Sequence, residues 1–254
     1  MKKLSYFVLI PFLFLCAHSF GQASLGGTSK MGGTANFGTG TGGGGAFTFK
    51  SATATMGGGT SVTTFTTSPA INTVGAKLIV VGLSVTGATS VTSIPTDSAG
   101  NSWSGACLSP TANPAAGQYT KICYLLNPTT SASHTFTVTI SIAERVAMAV
   151  MAWSDTGSGP TFDISTTGTS AGNTCVPSSI TGSSTELFAT AFGDNNVGAT
   201  SITISSPFTG TLTNTGNIDG GMSYFINTTG AAQSPTWTST TQNETACQMA
   251  GFLP

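Results

Sequence analysis

Lys77-Leu78-Ile79-Val80-Val81-Gly82-Leu83-Ser84-Val85 is nearly continuous hydrocarbon. It is too short for a spanning helix and rich in β-branched residues, the pattern of a strand buried on both faces or at the centre of a sandwich. Thr135 to Ile140 alternates instead, with Phe136, Val138 and Ile140 on one parity and Thr135, Thr137 and Thr139 on the other. A period of two places one set inward and the other toward water, so this is a half-buried strand. Arg145 to Trp153 (RVAMAVMAW) is the one segment where a helix competes, because Ala and Met are good helix formers. It carries no polar stripe at helical spacing and runs into Ser154-Asp155-Thr156-Gly157-Ser158-Gly159-Pro160. It therefore reads as a central strand, with Val146, Met148 and Val150 facing one way and Ala147, Ala149 and Met151 the other.

Outward from these, short apolar or alternating runs recur between turn residues. Ala46–Ala52 and Ser61–Thr67 flank Met56-Gly57-Gly58-Gly59, and further strands are expected at 119–126, 186–192, 201–204, 208–212, 222–226, 236–239 and 247–253. Some twelve short strands without a long amphipathic segment predict an all-β chain. The expected architecture is a two-sheet antiparallel β-sandwich, jelly-roll-like, with an immunoglobulin-like sandwich as the alternative.

The N-terminus reads as a secretory signal over residues 1–23: Met1-Lys2-Lys3, an apolar core from Tyr6 to Cys16, then small and polar residues through Ala23. The core falls short of the roughly 20 apolar residues that a bilayer span needs. Residues 24–45, almost all Gly, Ser, Thr and Ala, bury too little to offset their ordering entropy and read as a flexible leader before a single domain at 46–254. Without the signal, five basic residues face eight acidic ones. No two of the five are close in sequence, which argues against nucleic acid as a partner. Only 6% of the chain is charged, and threonine is its commonest residue, so its polar surface is made of hydroxyls and amides.

Four cysteines follow the signal. In an exported chain an even number of widely spaced cysteines points to disulfides. The turn-rich stretch from Leu108 to Gln118 favours Cys107 with Cys123, leaving Cys175 with Cys247.

The sharpest local motif is Asp97-Ser98-Ala99-Gly100-Asn101-Ser102-Trp103. Asp97 can accept backbone N–H groups two residues on, Gly100 supplies positive φ, and Asn101 tolerates the left-handed region, giving a tight turn into a strand near Trp103. The competing reading is a calcium site, the one cofactor the sequence suggests, with Asp97 and the Asn101 side-chain oxygen as ligands. Trp103 and Trp237, each between hydroxyl residues, are the tryptophans expected to be exposed, and with Tyr119 and Tyr224 they are the candidates for a sugar-stacking platform. Trp153, ending an apolar run, is expected in the core. His134, the one histidine beyond the signal, reads as a surface or edge residue and leaves no zinc set.

Gly168-Thr169-Ser170-Ala171-Gly172 satisfies G-x-S-x-G, but no apolar strand precedes it and no histidine follows. Most of the acids (Asp97, Glu144, Asp155, Asp163, Glu186, Asp194, Asp219, Glu244) sit among turn residues, and Glu144 and Glu186 are the two that begin strands and could face each other as a hydrolase pair. Asn227-Thr228-Thr229 and Asn243-Glu244-Thr245 fit the glycosylation pattern and predict surface positions.

Over residues 70 to 254 the chain resembles a loose group of bacterial secreted proteins of unassigned function. The likeness rests on Leu78-Ile79-Val80-Val81, the D-S-A-G-N-x-W turn, the strand 119–126, the buried strand ending near Trp153, and the closing Gly251-Phe252-Leu253-Pro254. It implies a jelly-roll-like or immunoglobulin-like sandwich attached to adhesive or repeat regions. The four cysteines depart from that group, as does Ala152-Trp153-Ser154-Asp155 where its members tend to have Glu-Tyr-Ser-Gly. The expectation is an exported module, extracellular, surface-associated or periplasmic, with a non-catalytic structural or adhesion role and a surface glycan or other copies of itself as partner. A carbohydrate-binding module and a secreted hydrolase are the alternatives.

Overall fold

The computed structural model describes residues 47–56, 62–86, 94–113, 117–195, 201–214, 218–240 and 244–254. The expected signal, the expected Gly-rich leader and the expected turn at 57–59 lie outside the described residues. The strands in chain order are β1 (Phe47–Met56), β2 (Val62–Thr66), β3 (Leu78–Thr86), β4 (Thr96–Asp97), β5 (Thr111–Asn113), β6 (Gln118–Leu126), β7 (Phe136–Asp155), β8 (Thr161–Ser170) and β9 (Thr174–Cys175). They continue as β10 (Ile180–Thr181), β11 (Glu186–Asp194), β12 (Ile202–Ile204), β13 (Thr209–Asn214), β14 (Asp219–Asn227), β15 (Ala232–Gln233), β16 (Trp237–Ser239) and β17 (Thr245–Leu253). Among the described residues there is no helix, and no helix long and apolar enough to cross a membrane.

The chain is an all-β sandwich of antiparallel sheets. The first sheet has the order β1-β7-β3-β6-β5, and the second β13-β14-β11-β17-β8. Between them Leu78, Val80, Ile122, Ala149, Met151 and Trp153 meet Leu187, Ala189, Ala191, Met222, Ala250 and Phe252. Each of the larger aliphatic, methionine and phenylalanine side chains here, taken fully out of water, contributes roughly 1.5–3 kcal/mol before the entropy of ordering it.

The outer faces of both sheets are also covered. Ile79, Val81, Leu83 and Val85 of β3 share a second core with Val146, Met148 and Val150 of β7. Phe136, Val138 and Ile140, from the first half of the same 20-residue strand, join that core, so β7 bends and its two halves enclose one apolar layer. The first half pairs with β2 and β4, the second with β1 and β3. This merges two strands expected separately, 135–140 and 145–153, into one. On the far side of the second sheet the short strands β12-β16-β9 and β10-β15 cover Phe192 and Phe188. β3 and β11 are therefore buried on both faces, which is why neither alternates apolar with polar.

Disulfides join Cys107 to Cys123 and Cys175 to Cys247. The first closes across an isolated bridge beside β6, and the second ties the outer strand β9 to β17. Two disulfides are compatible with an oxidising, exported location.

Candidate functional site

The D-S-A-G-N-x-W segment forms a polar knot under the outer layer of the first sheet. Gly100 takes φ +75°, which L side chains resist, and the chain reverses there. Asp97 Oδ1 accepts the Ala99 N–H at 2.9 Å and the Asn101 N–H at 3.2 Å. Its Oδ2 accepts the Asn101 Nδ2–H at 3.0 Å and the Trp103 Nε1–H at 2.8 Å. Burial alone would push this carboxyl up, but the Asn101 backbone and side chain, Trp103 and His134 outweigh it and hold Asp97 below the usual carboxylate range.

Three distant segments meet here. Asn101 Nδ2 also donates to Thr129 O at 2.9 Å, and its Oδ1 accepts the Thr129 N–H at 2.7 Å, pinning the 127–135 loop to the turn. His134 Nε2 lies 3.3 Å from Asp97 Oδ1, and its Nδ1 lies 2.8 Å from Thr73 Oγ1. Thr73 Oγ1 in turn accepts the Ser131 N–H at 3.0 Å. The His134 ring stacks on Phe136 with centroids 4.3 Å apart, and Trp103 meets the same ring edge-on at 6.2 Å.

Two expectations are corrected by this geometry. His134 is wholly buried rather than at the surface, because its ring fills the gap between Asp97 and Phe136 and its nitrogens meet Asp97 and Thr73. No strand begins at Trp103; the chain turns again at Gly105, φ +73°, because the indole anchors inward on Asp97. A calcium ion would have to take the oxygens of Asp97 and Asn101 that N–H groups already hold, so the arrangement suits a fixed carboxylate better than a cation.

The expected aromatic platform is not assembled. Trp103 is 3% exposed and Trp237 fully buried, both against expectation. Trp237 stacks on Phe192 and donates Nε1–H to Thr190 Oγ1 at 3.0 Å, so both its apolar body and its polar tip are used inside. Tyr119 belongs to the core around Phe136, while Tyr224 stacks on Phe49 at 5.6 Å and meets Trp153 edge-on. Trp103 and Tyr119 lie in one core, Trp237 in a second, and Tyr224 against a third, so the four form no common face. Trp153 is fully buried, as an apolar run predicts.

Ser170 ends β8, a strand missed in the sequence, and its Oγ accepts the Gly172 N–H, so G-x-S-x-G is a local turn. Glu144 lies on β7 opposite Val62, and Glu186 opens β11 in the second sheet, so the two expected partners stand in different sheets. Glu186 instead has Asp163 beside it. Asn227, expected at the surface, is buried and caps the 229–231 turn through its side chain; Asn243 lies outside the described residues.

Polar groups also cross between the large sheets: Thr120 Oγ1 of β6 donates to Ala246 O of β17 at 2.9 Å, and Gln248 Oε1 of β17 accepts the Ile122 N–H of β6. Beside them, within the first sheet, Gln118 Nε2 donates to Ser84 Oγ at 3.0 Å. Gly193 lies against them, and a Cβ there would overlap Gln118, Ser84 and Thr120. A void of about 10 Å³ nearby, lined by Gly82, Ala149 and Gly220 among others, has room for about one water.

Comparison with family models, curated proteins and solved structures gives no match.

Proposed function

We propose that the chain is a non-catalytic structural or adhesion module of an exported, surface-associated protein. One observation carries the reading: the side chains whose chemistry draws attention in the sequence are spent on one another. Asp97, Asn101 and Trp103 hydrogen-bond one another and, with His134 Nε2 lying 3.3 Å from Asp97 Oδ1, clamp three loops. Trp237 is consumed by Thr190 and Phe192. A binding site needs polar groups aimed at open space, and an exposed aromatic face is what would stack on a sugar. The hydrolase alternative has a carboxyl pair in Glu186 and Asp163, but Glu186 has no exposed surface from which to protonate a glycosidic oxygen. Two disulfides and a charge-poor, hydroxyl-rich composition suit a durable domain outside the cell.

The test is a glycan-array screen of the chain, with and without calcium, beside turnover assays on glycoside and ester substrates. Silence in all arms supports the passive module. Saturable glycan binding would replace it with the carbohydrate-binding reading, and turnover lost in Asp163→Asn would replace it with the hydrolase.

A further inference from the structure

On the outer face of the second sheet Gly251 of β17 lies beneath the Glu186 carboxyl, which reaches over it from β11. β17 pairs with β11 on one side and β8 on the other, and Asp163 is the extra residue where the β8 register slips between Ile164↔Gly251 and Phe162↔Phe252. The niche is made by missing side chains. A Cβ at Gly251 would overlap Glu186 Oε1, and one at Gly182 would overlap Glu186 Oε2 and the Phe188 ring. Glu186 is fully buried; its Oε2 accepts the Ser183 N–H at 2.7 Å, while its Oε1 has no hydrogen-bond donor among the described residues.

An ionised carboxylate left with a bare buried oxygen beside a second carboxylate is unfavourable twice over, once by desolvation and once by like-charge repulsion. A single proton removes both penalties, because a carboxylic acid can donate to the neighbouring carboxylate. We propose that Glu186 keeps a proton and donates it to Asp163, fastening the bulge of edge strand β8 to β11, so that the outer edge of the second sheet loosens as Glu186 loses it.

Burial pushes the Glu186 carboxyl up; the Ser183 N–H pulls it down, and the charge and hydrogen bond of Asp163 add to the upward push. Among the described residues Asp163 is the charged group facing Glu186. β17 contributes Gly251, β14 the neutral Asn227 across the strand pair, and the preceding turn Gly182 and the Ser183 amide. A group raised in the folded state stabilises below its unfolded value and loses that contribution as pH rises through the folded one. The element released would be β8, whose alternating side chains are half-exposed along its length, and its release would uncover the pairing edge of β17.

Hydrogen exchange of the full chain through a pH series, corrected for intrinsic exchange, tests this. In the wild type the opening constant of the amides at 161–166 is expected to rise about tenfold per pH unit above the ordinary carboxylate range, where the folded Glu186 still holds its proton and opening releases it, and to level off once the folded carboxyl ionises. Glu186→Gln, whose amide donates at every pH, and Asp163→Asn, whose amide can donate to an ionised Glu186, are both expected to flatten that rise. The infrared band of a protonated carboxylic acid should persist in the wild type above the ordinary carboxylate range and vanish in Glu186→Gln. A flat wild-type profile, a Glu186→Gln profile as steep as the wild type, or no such band would overturn the proposal. Should Glu186→Gln fail to fold, the exposed position of Asp163 makes Asp163→Asn the deciding variant.

Discussion

Asp97 and Glu186 are both carboxylates under an outer layer of this sandwich, and burial pushes both toward the neutral form, yet they shift in opposite directions. Asp97 receives four N–H donors, two on each oxygen, and has His134 beside it. Glu186 receives one N–H on one oxygen and has another acid beside it. Donor supply decides the sign, because each N–H favours the charged form while a like charge disfavours it. The consequences for stability oppose each other too. The depressed Asp97 stabilises the fold above its unfolded value and loses that contribution as pH falls through the folded one; Glu186 stabilises at low pH and loses it as pH rises.

The largest effect that would break this contrast is expected at Asp97→Ala. It strands the Trp103 indole N–H and the Asn101 amide inside the knot and should cost about 3–5 kcal/mol by chemical denaturation at neutral pH; a loss under about 1 kcal/mol would mean the knot is not a clamp. Gly251→Ala forces a methyl against Glu186 Oε1 and should cost about 2–3 kcal/mol, a strain that pairing with Glu186→Ala relieves in a double-mutant cycle. Asn101→Ala unpins Thr129 and should cost about 1–2 kcal/mol, with exchange protection lost first at residues 129–131. The smallest effect has the opposite sign. Glu186→Gln should leave the chain equally stable, or about 1 kcal/mol more so, at neutral pH, with no gain in acid, read from melting temperature against pH.

The sheet architecture was legible where burial imposed a simple pattern. The unbroken hydrocarbon of Lys77–Val85 gave β3 its place between two cores, and the parity of Val146, Met148 and Val150 against Ala147, Ala149 and Met151 is the parity observed. β8 was not legible: Thr161–Ser170 is an edge strand whose side chains are exposed or half-exposed throughout, so no hydrophobic period marks it. The union of 135–140 with 145–153 was hidden because each half has its own pairing partners.

In the site, the Asp97–Ala99 bond and the positive φ of Gly100 follow from local turn chemistry. His134 and Thr73 carry no such signal, since His134 reaches Asp97, and Thr73 reaches His134, only through the meeting of separate loops. Trp103 and Trp237 were misread from their hydroxyl neighbours. In a strand, flanking Thr residues occupy the opposite parity, so Thr236 and Thr238 around Trp237 are compatible with an indole pointing inward.

The most direct test of the claim that the D-S-A-G-N-x-W turn is a structural clamp is the Asp97 side-chain carboxyl ¹³C resonance followed through pH, with and without millimolar calcium. The account predicts a midpoint below the ordinary aspartate value of about 3.9 that calcium does not move. A midpoint at or above that value, or one displaced by calcium, would contradict it.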